Sequence, residues 1–201
     1  MVIVGAVAVA YFRFMRPWHL NWGATAEEAS GEATGDELIP EPNIVSTRVV
    51  EIDAPPSAIW PWLVQMGPGR GGGCTYDWIE RRLGIDICNT DRLIPEFQEL
   101  KVGDETPVPG NAMRVERLYP GQAMVVRSSN HTWVWSFELR PAGEHTRLIS
   151  RNRFDVSALP LKDKLAYPVI EPGSWVMERK MLRTIKQHAE RLARSGDEPH
   201  A

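Results

Sequence analysis

The stretch Ser174–Arg194, SWVMERKMLRTIKQHAERLAR, decides how the rest of the chain is read. Met181, Leu182, Ile185, Ala189 and Leu192 recur at spacings of three and four, which places them on one face of a helix. Glu178, Arg179, Lys180, Arg183, Lys186 and Arg191 occupy the remaining positions. Pro172-Gly173 lies just ahead and reads as the break from which the helix starts. At 1.5 Å per residue such a helix is about 30 Å long, enough to lie across a whole sheet.

Upstream of it the period changes from 3.6 to 2. In His131–Leu139, Trp133, Trp135, Phe137 and Leu139 share one face while Thr132, Val134, Ser136 and Glu138 share the other. Pro141-Ala142-Gly143-Glu144 turns the chain into Thr146–Phe154. There Leu148, Ser150, Asn152 and Phe154 alternate with Arg147, Ile149, Arg151 and Arg153. Met113–Leu118 and Ala123–Ser128 read as two further strands, split by Tyr119-Pro120-Gly121-Gln122. Short strands joined by tight turns make an antiparallel meander. Arginines on strands are solvated by default, and Arg127, Arg151 and Arg153 are expected to be so.

Further upstream, Ile44–Ile52 is β-branched and reads as a strand. Asp53–Val64 (DAPPSAIWPWLV) reads as a short helix, with prolines at its start and Asp53 or Ser57 available to cap it. Gly67–Gly73 is a glycine-rich break, Tyr76–Leu83 a second short helix, and Ile85–Asp104 an excursion without a clear period.

The order is strand, two short helices, strands, long terminal helix. VVEIDAPPSAIWPWLVQMG (Val49–Gly67), YDWIERRLGID (Tyr76–Asp86) and EPGSWVMERKMLRTIK (Glu171–Lys186) together resemble the START-like, or SRPBCC, superfamily, over roughly Ile44–Leu192. The nearer resemblance is to actinobacterial members described as polyketide cyclase/dehydrase or lipid-transport-like. RPWHLNWGATAEEA (Arg16–Ala29) looks like a mark of a narrower subgroup. The resemblance implies an α+β helix-grip fold, with a curved antiparallel sheet around the C-terminal helix and an apolar cavity between them. Trp133, Trp135, Phe137, Leu148, Ser150, Asn152, Met181 and Ile185 would then face the cavity. The large aromatics either fill the interior or line a flat slot; sequence leaves both open.

The chain has 201 residues, 26 acidic against 23 Lys+Arg side chains, and a net charge of −3. That gives no electrostatic footprint for nucleic acid. Asn21–Asn43 carries Glu27, Glu28, Glu32, Asp36, Glu37 and Glu41 with no Lys or Arg, and reads as an acidic linker or an irregular wrap. Residues 44–195 read as the helix-grip domain and 196–201 as a polar tail.

MVIVGAVAVAYF (Met1–Phe12) is uncharged and is followed by Arg13, Arg16, Trp18 and Trp22. Apolar run, basic flank and aromatics are marks of a membrane anchor, although a span needs about 20 apolar residues. A signal peptide and a helix packed on the domain also fit. The expectation taken is a single-pass anchor at residues 1–20, membrane contact through residues 1–16, a membrane-protein partner, and a body on the cytoplasmic side because Arg13 and Arg16 follow the run.

Gly67-Pro68-Gly69-Arg70-Gly71-Gly72 matches G-x-G-x-x-G by letter only: it follows a helix and contains a proline, so it is no dinucleotide loop. It reads instead as a lid at the cavity mouth, with Gly69, Arg70, Gly71 and Tyr76. Cys74 and Cys88 lack CxxC spacing, and no HExxH or G-x-S-x-G occurs, so no metal or other cofactor and no nucleophile triad is expected. An acid–base role would need a buried ionisable pair, for which His131, Glu138 and Glu178 on central elements, and Tyr76 and Asp77 at the mouth, are the candidates. The expected function is binding of an apolar lipid or polyketide-like molecule. A cyclase/dehydratase-type enzyme and an accessory subunit of a membrane complex are the alternatives.

Overall fold

The computed structural model describes residues 9–72, 90–108, 111–157 and 161–196, with 161–163 and 165–169 described by backbone alone. The β-branched and alternating segments form six strands: β1 (Ile44–Ile52), β2 (Glu105–Val108), β3 (Asn111–Tyr119), β4 (Ala123–Ser128), β5 (Trp133–Ala142) and β6 (His145–Phe154). They pair antiparallel throughout in the order β1-β6-β5-β4-β3-β2. A register shift between Val115 and Arg117 marks a bulge in β3, a device that bends and twists a sheet.

Among the described residues four α-helices accompany the sheet: α1 (Arg16–Leu20), α2 (Ala26–Ser30), α3 (Pro56–Val64) and α4 (Leu161–Ser195). α3 starts after Pro55 with no side-chain cap, and neither Asp53 nor Ser57 serves as one. α4 is 35 residues long, not the 21 of Ser174–Arg194, and runs straight through Pro172-Gly173. At 1.5 Å per residue it is about 52 Å long. Pro168 and Pro172 stand four apart, so the carbonyl left without its N–H donor by Pro172 is that of Pro168. The segment Tyr76–Leu83, with Tyr76 and Asp77, lies outside the described residues, as do Cys74 and Cys88.

The core forms where α3 and α4 meet the inner sheet face. Ile52, Phe137, Leu139, Leu148 and Met124 pack with Ile59, Trp62 and Leu63 of α3 and with Met181, Leu182, Ile185 and Ala189 of α4. These are the positions that the two periods share out, apolar at every second strand residue and every third or fourth helix residue. The architecture is α+β and helix-grip.

The single-pass anchor at residues 1–20 does not hold. Among the described residues no helix is long and apolar enough to cross a membrane. A π-helical turn, Tyr11–Met15, whose Phe12, Phe14 and Met15 are exposed, continues into α1, and α1 is engaged by the globular body. Arg16 donates two hydrogen bonds to Glu171 of α4, at 2.9 and 2.8 Å. Trp18 packs on Trp175 with ring centres 5.2 Å apart, and His19 and Leu20 are buried. Arg16 and Trp18 thus find partners on α4, while Arg13 stays exposed. Cell-membrane localisation, membrane contact through residues 1–16, and the side assigned from Arg13 and Arg16 lose their basis.

The arm then crosses the open edge of β1. Val49 N–H donates to Trp22 O at 2.9 Å, which covers a backbone group that an edge strand leaves unpaired. Gly23 makes the crossing with φ +77°, and a Cβ there would lie 2.1 Å from Val49 O. Only glycine fits.

Beyond it, residues 24–43 lie across the outer sheet face. Thr25 and Glu28 close a capping box on α2. The arginines of β6, expected in solvent, hold this acidic segment down. Arg147 grips Glu28 at 2.7 and 2.8 Å. Arg151, only 3% exposed, reaches Asp36 at 2.8 Å, Gly31 O at 2.7 Å and Thr47 Oγ1 at 3.0 Å. Arg153 reaches Ile39 O at 2.9 Å. Ile39 completes the layer by packing on Val125 and Val134.

Candidate functional site

The inner face of β5 and β6 is not uniform along its length. Phe154, Trp133, Trp135 and Phe137 form a continuous aromatic row, with successive ring centres 5.5, 5.5 and 4.8 Å apart. Antiparallel register produces it: Trp133 sits opposite Phe154, Trp135 opposite Asn152, and Phe137 opposite Ser150. Phe137 is sealed in the core at 1% exposure. Trp133 and Trp135 remain half-buried. The row is therefore filled at one end and accessible at the other.

Beneath the two tryptophans is a polar cluster. Trp133 Nε1 donates to Asn152 Oδ1 at 2.9 Å, and Trp135 Nε1 to Ser150 Oγ at 2.8 Å. Ser150 Oγ in turn donates to Glu178 Oε1 at 2.7 Å, and Asn152 Nδ2 to Glu178 Oε2 at 3.1 Å. Arg48, which shares the inner face of β1 with Val50 and Ile52, closes the set through a hydrogen-bonded ion pair to Glu178. Its remaining donors reach His19 O at 3.1 Å and Ser174 Oγ at 3.5 Å. Arg48 is 1% exposed, so its charge and that of Glu178 are both removed from water.

Burial holds the Glu178 carboxyl above its ordinary value, against the pull of Arg48, Ser150 and Asn152. The same effect pushes His19 down and favours neutral imidazole, with Glu171 opposing. His19 Nε2 lies 3.2 Å from Tyr11 Oη and 3.7 Å from Glu171. Its Nδ1 is buried without a hydrogen-bond partner among the described residues.

Of the residues expected around a cavity, Trp133, Trp135, Ser150 and Asn152 come together here. Phe137, Leu148, Met181 and Ile185 share the same face but are sealed in the core. The glycine-rich loop is closed on itself. Gly67 and Gly72 form a bridge, and Arg70 donates to Val64 O (3.1 Å) and Phe97 O (2.9 Å) with its guanidinium over the Phe97 ring. Gly69 faces open space, while a Cβ on Gly71 would press on Gln65 at 2.8 Å.

Of the residues considered for acid–base work, His131 is exposed on a turn with φ +63°. Glu138 lies on the outer face and accepts from Thr34 N–H at 2.6 Å and from Arg140. Burial raises its carboxyl, but these donors outweigh that and keep it below the usual range. Glu178 alone is in a dry interior. Among the described residues no cluster of His, Cys, Asp or Glu could hold a metal ion.

Sequence reasoning missed Arg48 and the pairing of Glu178, though both left a signal. Glu178 stands three, four and seven residues before Met181, Leu182 and Ile185, so it lies on the apolar stripe. Arg48 falls on the same alternate positions as Val50 and Ile52. A charge on each of two inward faces announces a buried pair.

The fold is the helix-grip arrangement that the START-like, or SRPBCC, resemblance implies. No family model and no curated protein matches the sequence. Solved structures are similar at low identity. The polyketide-cyclase-like protein Cgl2372 of Corynebacterium glutamicum is 15% identical, with a TM-score of 0.45 over 81% of this chain and 98% of that one. Protein CV1439 of Chromobacterium violaceum is 12% identical, with a TM-score of 0.45 over 73% and 98%. The Aha1 protein of Colwellia psychrerythraea, solved as a dimer, is 15% identical, with a TM-score of 0.39 over 68% and 93%.

Proposed function

We propose that the protein binds a flat, largely apolar small molecule in the slot walled by Trp133 and Trp135. The observation that carries this reading is the contrast along one row. Phe137 is sealed against α4, whereas its two neighbours, equally apolar and on the same face, stay half-buried. Large aromatic faces left open beside a buried polar cluster have the composition of a small-molecule site: apolar walls with a few fixed polar groups. Each indole N–H is already tied down, so the rings offer apolar carbon rather than donors, and their positions are set before a ligand arrives.

Binding is favoured over catalysis by the state of Glu178. Oε1 accepts from Ser150 and Oε2 from both Arg48 and Asn152. With three protein donors on its two oxygens, this carboxylate serves as a fixed positioning element that ties β1, β6 and α4 together.

The test is a titration of the full-length protein with 2-naphthol, followed by calorimetry and by the indole N–H resonances of Trp133 and Trp135. Saturable binding that shifts both resonances is expected, and Trp133→Ala should weaken it at least tenfold, or about 1.4 kcal/mol. Absence of saturable binding, or binding that Trp133→Ala and Trp135→Ala leave unchanged, overturns the reading.

A further inference from the structure

The outward side of α4 carries a second arrangement, separate from the slot. Trp175, Val176, Arg179, Lys180, Arg183 and Gln187 line a groove of about 240 Å³. That is just under the roughly 300–1,000 Å³ of small-molecule sites, so it suits a small occupant. Arg179 and Arg183 stand one turn apart, a like-charge spacing that opposes helix formation unless something offsets it.

The acids of α4 that could do so are taken. Glu171 holds Arg16, Glu178 holds Arg48, and Glu190 holds Lys186 at 2.7 Å. Among the described residues neither Arg179 nor Arg183 has a carboxylate partner. Both are instead held by aromatic faces: Arg179 lies over Trp22 at 5.4 Å and over Trp175 at 5.5 Å, and Arg183 over Trp22 at 5.6 Å. The guanidinium groups are thus positioned without being neutralised by a carboxylate of the described residues. Next to them Trp18, tilted against Trp175, and Val176 are 54% and 41% exposed.

We infer that this groove binds a small aromatic anion, with a phosphate or carboxylate group on the Arg179–Arg183 pair and a flat apolar body against Trp175 and Val176. Paired guanidinium forks match the oxygens of such a group. The tryptophan and valine beside them offer apolar surface that a bare inorganic ion would leave unused. The chain's net negative charge makes this local run of positive groups a selective feature.

The experiment compares phenyl phosphate, phenol and inorganic phosphate on the full-length protein, by calorimetry and by the Trp175 indole N–H resonance, assigned by its loss in Trp175→Phe. Phenyl phosphate should bind saturably and shift that resonance. Binding should weaken with salt and fall at least tenfold in Arg183→Gln and further in Arg179→Gln/Arg183→Gln. Phenol should not bind there. Trp133→Ala, which empties the slot, should leave phenyl phosphate binding unchanged. Should the double variant fail to fold, Arg183→Lys keeps the charge but removes the fork, and a loss of several-fold is still expected. Equal binding of phenol, equal binding of inorganic phosphate, no saturable binding, or unchanged affinity in Arg183→Gln overturns the inference.

Discussion

Two buried arginines, one on each face of the sheet, are satisfied in different ways. Arg48 faces inward and meets a carboxylate on α4, a hydroxyl and one carbonyl. Arg151 faces outward and meets chiefly backbone carbonyls, at Gly31, Glu28 and Ala29, with Asp36 and Thr47 at the margin. The inner pair is enclosed by two rigid elements, so neither charge can escape to water if the other is removed. The outer arginine staples a segment that can lift away and be hydrated. A buried charge therefore fixes the relation of helix to sheet on one side, and only the seating of a wrap on the other.

The largest effect expected from this difference is at Glu178. Glu178→Ala leaves Arg48 charged and unpaired, and should lower global stability by about 3–5 kcal/mol in denaturant titrations. The pair replacement Arg48→Met/Glu178→Leu should recover most of that loss. Failure to recover would mean that the polar cluster itself, not the stranded charge, holds this end of the molecule together.

Arg151→Ala should cost less, about 1.5–3 kcal/mol. Its signature should be local: amide exchange rising across residues 25–39 while β5 and α4 keep their protection. Loss of protection in α4 as well would erase the distinction between the two faces.

The smallest effect concerns acid. The hydrogen bond from Arg147 holds Glu28 at about 2, against an ordinary value of 4.5. A carboxylate with a lowered folded-state value contributes stability that is full above about pH 4.5 and drains as the pH falls toward 2. Stability measured over that interval should therefore fall more steeply in the wild type than in Glu28→Gln. Parallel profiles would remove Glu28 from the seating of the wrap.

Much of this was legible in the residues. The alternation in His131–Leu139 and Thr146–Phe154 put the right side chains on the inner face, because strand geometry leaves no other choice once the pattern is strict. The stripe on Ser174–Arg194 located the packing face of α4 for the same reason. The start of α4 was not legible. Pro172-Gly173 opposes helix locally, yet the structure runs the helix through it, as tertiary context commonly overrides propensity. The role of the acidic segment was hidden too, since its partners Arg147, Arg151 and Arg153 lie more than 100 residues away and each alone looks like a solvated strand residue. Fluid or solid packing around Trp133 and Trp135 depended on how α4 sits, which no local pattern encodes.

The glycine at position 23 has a consequence beyond letting the chain turn. Because its neighbour Trp22 takes up the Val49 N–H, the border of β1 is interrupted there as a docking rail for a strand from another molecule. Any bulkier residue in its place would prise the arm outward and expose the rail. Gly23→Val should thus betray itself first as concentration-dependent self-association, before any change in the interior.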